Sequence, residues 1–183
     1  FLGRHFAAAV AEMGATPILL DMREDYLLEA KKELAENNVK VKTYILNICD
    51  KKNIQNVVNE IVNEHSTIDV LINSAAFAMK NLQVGVDGCF ADFEDYDQEL
   101  WQVSLDVNLT GTFLMLQAVG KVMKSQQKGV VINIASDVAV ISPDHRIYKA
   151  DKQFDCEGVD FNTPIGYSAT KAGMLAMTRY LST

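Results

Sequence analysis

Along this chain, stretches whose apolar residues recur every three or four positions alternate with short runs that are apolar throughout. The first spacing is that of one helix face; the second suits a strand covered on both sides. Phe6, Val10 and Met13 share a helical face, and Gly14 stands where that helix should end. Pro17 to Asp21 is a short apolar run closed by an acid and predicts a strand. An amphipathic helix over residues 24–37 carries Leu27, Ala30 and Leu34, and the even spacing of Val39, Val41 and Ile45 predicts a strand over 39–46. Asp50 holds a helix N-cap position ahead of a stripe of Ile54, Val57, Val58, Ile61 and Val62. Val70–Ile72 and Val130–Ile134 read as strands buried on both faces, with a long helix over residues 98–125 between them. A last helix begins near Pro164, a favourable first-turn residue, and runs to the end of the chain.

Repeated alternation of helix and strand implies an α/β fold, a doubly wound parallel sheet with helices on both faces. Two segments interrupt it: the acidic stretch Ala76 to Asp97 and the polar, irregular stretch Asp137 to Thr163. Segments this long inside a compact domain are often functional. The 183 residues suit one domain. The chain opens at Phe1 inside a helix pattern and stops at Thr183 inside another. It therefore reads as a single domain, residues 1–183, incomplete at both ends and lacking the first strand and the C-terminal part.

Composition narrows the function classes. With 17 basic and 24 acidic residues the net charge is −7, which argues against nucleic acid as a partner. Cys49, Cys89 and Cys156 are odd in number and widely spaced, which argues against a disulfide framework or a zinc site and fits the cytoplasm. No apolar run approaches the ~20 residues of a membrane span, so no membrane association is expected. His5 and His65 lack partners at metal-ligand spacing.

In open parallel sheets, ligands bind beyond the carboxyl ends of the strands. Asp21, Asn47, Asn73 and Ser136 each close or follow a predicted strand. Any one of them could be turn chemistry; four at one edge are what a binding crevice needs. A carboxylate at the position of Asp21 can accept both ribose hydroxyls of a dinucleotide and repels an added phosphate, which favours NAD(H) over NADP(H). Arg23 partly offsets that repulsion. Gly3, at the start of the first helix, would let a pyrophosphate approach the helix N-terminus.

Tyr167 and Lys171 are four residues apart, one turn apart on the same helix face. A phenol with a pKa of ~10 is a poor acid–base group near neutrality, and a neighbouring cation favours its ionised form. The pair is therefore a candidate for general acid–base chemistry, although the same spacing also occurs on ordinary surface helices. Asn108 lies in the middle of the long predicted helix. Asparagine competes for backbone hydrogen bonds, so its presence there predicts a local distortion with a use.

Taken together, these segments resemble the short-chain dehydrogenase/reductase family in its compact, single-domain branch, with a Rossmann-like fold. Gly3 to Ala15 resembles the end of a glycine-rich motif and its helix, and Leu71-Ile72-Asn73-Ser74-Ala75-Ala76 the family's L-V-N-N-A-G stretch. Asp106-Val107-Asn108-Leu109-Thr110-Gly111 resembles the segment with the family's asparagine, Ile132 to Ser136 the strand before the catalytic serine, and Tyr167 to Lys171 the signature. The resemblance implies catalytic roles for Asn108, Ser136, Tyr167 and Lys171. Ser136 would hydrogen-bond the substrate oxygen. Tyr167 would pass the proton while hydride moves to or from the nicotinamide. Lys171 would bind the nicotinamide ribose and lower the tyrosine pKa, and Asn108 would hold a water that leads to solvent. Gly3, Asp21, Asn47, Ile48, Asn73, Ser74 and Ala75, with Tyr167 and Lys171, would bind the cofactor. The helices carrying Asn108 and Tyr167 would build a homodimer or homotetramer.

The expected activity is interconversion of a secondary alcohol and a ketone on a small hydroxyl or keto substrate. Two other readings stay open: a sugar-nucleotide epimerase or dehydratase of the extended branch, and a non-catalytic dinucleotide sensor. The chain departs from the family pattern at Ser74, Ala76 and Asn47, and by the 31 residues from Ser136 to Tyr167. That long segment includes Pro143-Asp144-His145-Arg146-Ile147-Tyr148. The stretch resembles members linked to surface-glycan or flagellin-modification sugar pathways, and would present His145 and Arg146 to a hydroxylated or anionic substrate such as a sugar derivative.

Overall fold

The computed structural model describes residues 2–78, 91–149 and 162–182. In chain order the elements are α1 (Leu2–Glu12), β1 (Ile18–Asp21), α2 (Glu24–Glu36), β2 (Lys42–Ile45), α3 (Lys51–His65), β3 (Val70–Asn73), α4 (Gln98–Ser104), a π-helical segment (Leu105–Gly111), α5 (Thr112–Gln126), β4 (Val130–Asn133), α6 (Arg146–Lys149) and α7 (Ile165–Leu181). Contacts group them into two compact units, residues 1–75 with 114–132 and residues 76–113 with 133–183.

In the first unit β1 and β2 pair in parallel, from Ile18 opposite Lys42 to Asp21 opposite Ile45, and α2 packs on both. Parallel strands need a crossover, which α2 supplies with Leu27, Ala30 and Leu34 buried. The helix ends through Asn38 at φ 60°, and the Val39 N–H bonds back to the Leu34 carbonyl. That ending occupies the residues before Lys42, so β2 begins later than the alternation of Val39 and Val41 predicts. Asp50 caps α3 by accepting the Asn53 N–H at 3.0 Å, and Ile54, Val57, Val58 and Ile61 are buried, as the stripe predicts. In α1 the buried residue is Ala7; Met13 is 87% exposed because the helix has already ended at Glu12.

β3 pairs with β4. The Gln126 amide staples the entry to this pair, bonding the Ile68 N–H and carbonyl and the Lys128 carbonyl, and Lys128 reaches Asp69 at 3.0 Å. Gly129 sits at φ +154°, where a Cβ would meet Met123 Cγ at 2.5 Å, so only glycine lets α5 turn so closely into β4. One expectation fails here. Val130, Val131 and Ile132 are 56%, 37% and 44% exposed, not covered on both faces. An unbroken apolar run marks a strand; it does not specify which layers cover it.

The second unit is built around α4, the π segment and α7, with the short turn Asp137–Ala139 packed on α7. The predicted single helix over 98–125 is instead α-helix, seven π-helical residues and α-helix again. Asp97 caps its start, accepting the Glu99 and Leu100 N–H groups. Pro164 stands at the N-cap of α7, one residue before the helix proper. Among the described residues, no helix is long and apolar enough to cross a membrane. Cys89 and Cys156 and the central parts of both predicted irregular segments lie outside the described residues.

Candidate active site

All four residues expected to be catalytic fall in the second unit. Asn108 is fully buried at the centre of the π segment. Its Oδ1 accepts the Phe77 N–H at 2.6 Å, and its Nδ2 donates to the Phe77 carbonyl at 3.0 Å and to Thr170 Oγ1 at 3.2 Å. One side chain thus ties the segment after β3 to α7. Widened turns of this kind recur at functional sites. The distortion expected from a mid-helix asparagine is present. Buried hydroxyls bracket it: Ser104 donates to the Leu100 carbonyl, and Thr112 to the Asn108 carbonyl.

Tyr167 and Lys171 lie on one face of α7. Lys171 Nζ donates to the Ile134 carbonyl at 2.5 Å and lies 5.6 Å from the centre of the Tyr167 ring. Burial of the ammonium pushes the lysine pKa down, because losing water disfavours the charged form. Thr170 is completely buried between them in sequence and turns its hydroxyl to the Gly166 and Tyr167 carbonyls. At Gly166 a Cβ would come within 2.7 Å of Ser104 Oγ, so α7 enters the unit in close contact with α4.

Ser136 precedes the Asp137–Ala139 turn in extended conformation, and its Oγ donates to Asp137 Oδ1 at 2.9 Å. A carboxylate only accepts, so the serine oxygen presents lone pairs in this arrangement. Asp137 was legible as Ser136's neighbour but was not singled out. The partners Phe77 and Ile134 carry no signal of their own in the sequence, since backbone carbonyls and amides are common to every residue; Thr170 takes part through its hydroxyl.

The residues expected to bind cofactor outside this set all lie in the first unit. Asp21 ends β1, and its Oδ1 accepts the Arg23 N–H at 2.9 Å. Arg23 Nε donates to Asp25 at 3.0 Å, a second nitrogen pairs with the same carboxylate, another bonds the Tyr26 hydroxyl, and the guanidinium stacks 3.9 Å from that ring. Both ion-pair partners respond: hydrogen bonding to Asp25 raises the Arg23 pKa, and hydrogen bonding to Arg23 lowers that of Asp25. Asn47 closes a turn by accepting the Cys49 N–H at 3.0 Å, followed by half-buried Ile48. Asn73 is buried at the end of β3, Ser74 is half-buried and Ala75 exposed. A Cβ on Gly3 would lie 3.4 Å from Ser74 Oγ.

His145 Nε2 accepts the Thr163 N–H at 3.3 Å and the residue lines a cavity of the second unit. Arg146 does not line it. Its guanidinium makes two bonds to Asp144, at 2.8 and 2.7 Å, and its side chain is 86% exposed.

Comparison with known proteins agrees with this layout. Residues 2–155 match the sequence profile of the short chain dehydrogenase family. The chain is 31% identical to the NAD-dependent glycerol dehydrogenase of Listeria innocua, over 99% of its own length and 59% of that protein's. It is 30% identical to the 3-oxoacyl-(acyl-carrier-protein) reductase of Thermotoga maritima, over 97% of this chain and 61% of that one. The chain thus spans about three-fifths of the length of these relatives. Among solved structures, NAD+-bound xylitol dehydrogenase superposes with a TM-score of 0.76 at 26% identity, covering 96% of this chain and 57% of that one. The alternating α/β layout is therefore that of a Rossmann-like fold, and the chain belongs to the short-chain dehydrogenase family of oxidoreductases.

Proposed function

We propose that the protein is a nicotinamide-dependent oxidoreductase that interconverts a secondary alcohol and a ketone, with Tyr167 as general acid and base. The observation that carries this reading is the buried Lys171, bonded to the Ile134 carbonyl and 5.6 Å from the Tyr167 ring centre. In oxidation the carbinol C–H and O–H bonds break and a C=O bond forms. The nicotinamide, when bound, takes up or supplies the hydride. Tyr167 accepts the hydroxyl proton, or returns it in reduction. Lys171 Nζ, held by the Ile134 carbonyl, sits beside the ring where this exchange takes place. Ser136 receives the substrate hydroxyl on its lone pairs, and Asn108 fixes α7 against the segment after β3 so that Tyr167 keeps its place.

The first unit fits a dinucleotide. Gly3 keeps the start of α1 near Ser74 without a side chain between them. Asn47, Ile48, Asn73, Ser74 and Ala75 follow or close strands, where a cofactor would run. Asp21 commits one carboxylate oxygen to the Arg23 N–H, which leaves the other for a ribose hydroxyl. Arg23 is held by Asp25 and Tyr26 and is not available to a phosphate. This favours NAD(H) over NADP(H). The reading treats residues 1–183 as one NAD(P)-binding domain. It includes a cytoplasmic homodimer or homotetramer, and the exposed Val103 and Phe113 on α4 and α5 support the oligomer.

Tyr167→Phe in the full-length protein is the test. Turnover should fall by about 10²–10⁴-fold, the usual worth of a positioned acid–base group, while the variant still binds NADH by fluorescence titration. Retained turnover would remove Tyr167 from the chemistry.

A further inference from the structure

Beside the face of α7 that carries Tyr167 and Lys171 is a cavity of 580 Å³, a volume typical of small-molecule sites. The next stripe of the same helix, Ile165, Ser168 and Ala172, lines it, as does the chain just after Ser136, beginning at Val138. Four of the large apolar side chains that the second unit leaves exposed belong to this lining: Phe93, Val140 and Ile141 at 74%, 69% and 66% exposure, and Ile165 at 37%. Apolar side chains gathered on a concave surface mark a place where something apolar binds.

The charges of the lining have one sign. Asp92 and Glu94 are acidic, and no lysine or arginine is among the described residues that line the cavity. Asn162 Nδ2 holds the Asp92 carboxylate at 3.0 Å. Among the described residues, Arg146 is taken by Asp144 outside the lining. His145 turns Nε2 to the Thr163 N–H, which it accepts at 3.3 Å. An anionic substrate would meet two carboxylates and, among the described residues of the lining, no lysine or arginine. A polyol would lay hydroxyls against Phe93, Val140 and Ile141 without partners, which costs their lost hydration.

We propose that this cavity holds the body of the substrate, and that the substrate is an uncharged secondary alcohol or ketone with a largely apolar ring or branched chain. It is neither a polyol nor a carrier-linked or carboxylated keto acid. This rests on the reading of Tyr167 as the proton-transfer group and assigns Asp92 and Glu94 to the exclusion of anions.

The experiment offers the full-length protein a matched set of ketones: acetophenone, its carboxylated analogue 4-acetylbenzoate, and dihydroxyacetone. Cofactor oxidation gives kcat/KM, and calorimetric titration of the Tyr167→Phe variant gives binding without turnover. Acetophenone should exceed both others by about tenfold or more, the ratio that ~1.4 kcal/mol produces. Asp92→Asn with Glu94→Gln should raise 4-acetylbenzoate relative to acetophenone by about tenfold. Equal use of the three ketones, or an unchanged ratio in the double variant, overturns the assignment, as does failure of acetophenone both to bind and to react. The binding preference without turnover of any ketone sinks the hydride-transfer reading and leaves the cavity assignment standing. Turnover without the preference does the reverse.

Discussion

The two units bury different things. In the first, the buried side chains are almost all aliphatic: Leu27, Leu34, Leu46, Ile54, Val58 and Leu71 among them, with Asn73 the buried polar residue. In the second, Leu100 and Met174 share the interior with Ser104, Asn108, Thr112, Thr170 and Lys171. An apolar interior stabilises through buried area, and that attraction has no preferred direction. A buried polar side chain is tolerable only where its partners are fixed, so each one pins a geometry. The first unit is built to be a platform, and the second to hold a few atoms in place.

Substitutions in each unit can break or sharpen that contrast. Asn108→Leu should have the largest effect, because it removes three hydrogen bonds of a fully buried amide, two to the half-buried Phe77 backbone and one to Thr170. A loss of about 4 kcal/mol is expected from three such bonds at roughly 0.5–1.5 kcal/mol each, the upper end applying to a buried amide. Urea denaturation would read it, and a loss under about 1 kcal/mol would show that the polar interior is not what fixes α7. Ile54→Ala in the first unit should cost about 3 kcal/mol by cavity formation while KM and kcat of the surviving folded protein stay put. A change in either constant would mean that the platform also tunes the chemistry.

The smallest effect concerns pH. Burial lowers the pKa of Lys171, so between its folded pKa and the ordinary lysine value of about 10.4 the folded chain binds fewer protons than the unfolded one. Stability from this group therefore rises as pH climbs through that window and is flat below it. The denaturation midpoint of the protein relative to a Lys171→Met variant should increase over the same range. A relative midpoint that falls there would reverse the sign assigned to the buried ammonium.

How far the sequence disclosed all this follows the same division. The stripe of α3 and its Asp50 cap were legible because local periodicity and one side chain decide them. So was the closeness of Tyr167 and Lys171, which four residues of helix guarantee. The start of β2 was not, because the left-handed Asn38 redirects the chain against its alternating pattern. Nor was the exposure of β4, which depends on layers the strand itself does not encode. In the site, the grip of Asn108 on Phe77 spans 31 residues and that of Lys171 on Ile134 spans 37. Those contacts exist only once the chain has folded. The cavity draws its lining from segments around residues 91–96, 138–145 and 162–172, and no single window of sequence contains its chemistry.

The widened turn from Leu105 to Gly111 has a genetic corollary. It behaves as one surplus residue carried inside an otherwise regular coil. Deleting a codon there would give a smoother α-helix with better backbone bonding, and would swing everything upstream about 100° around the axis relative to everything downstream. Leu100 would then leave its buried position while Met115 kept its own. Over evolutionary time this stretch should accept exchanges of side chain far more readily than any change of length.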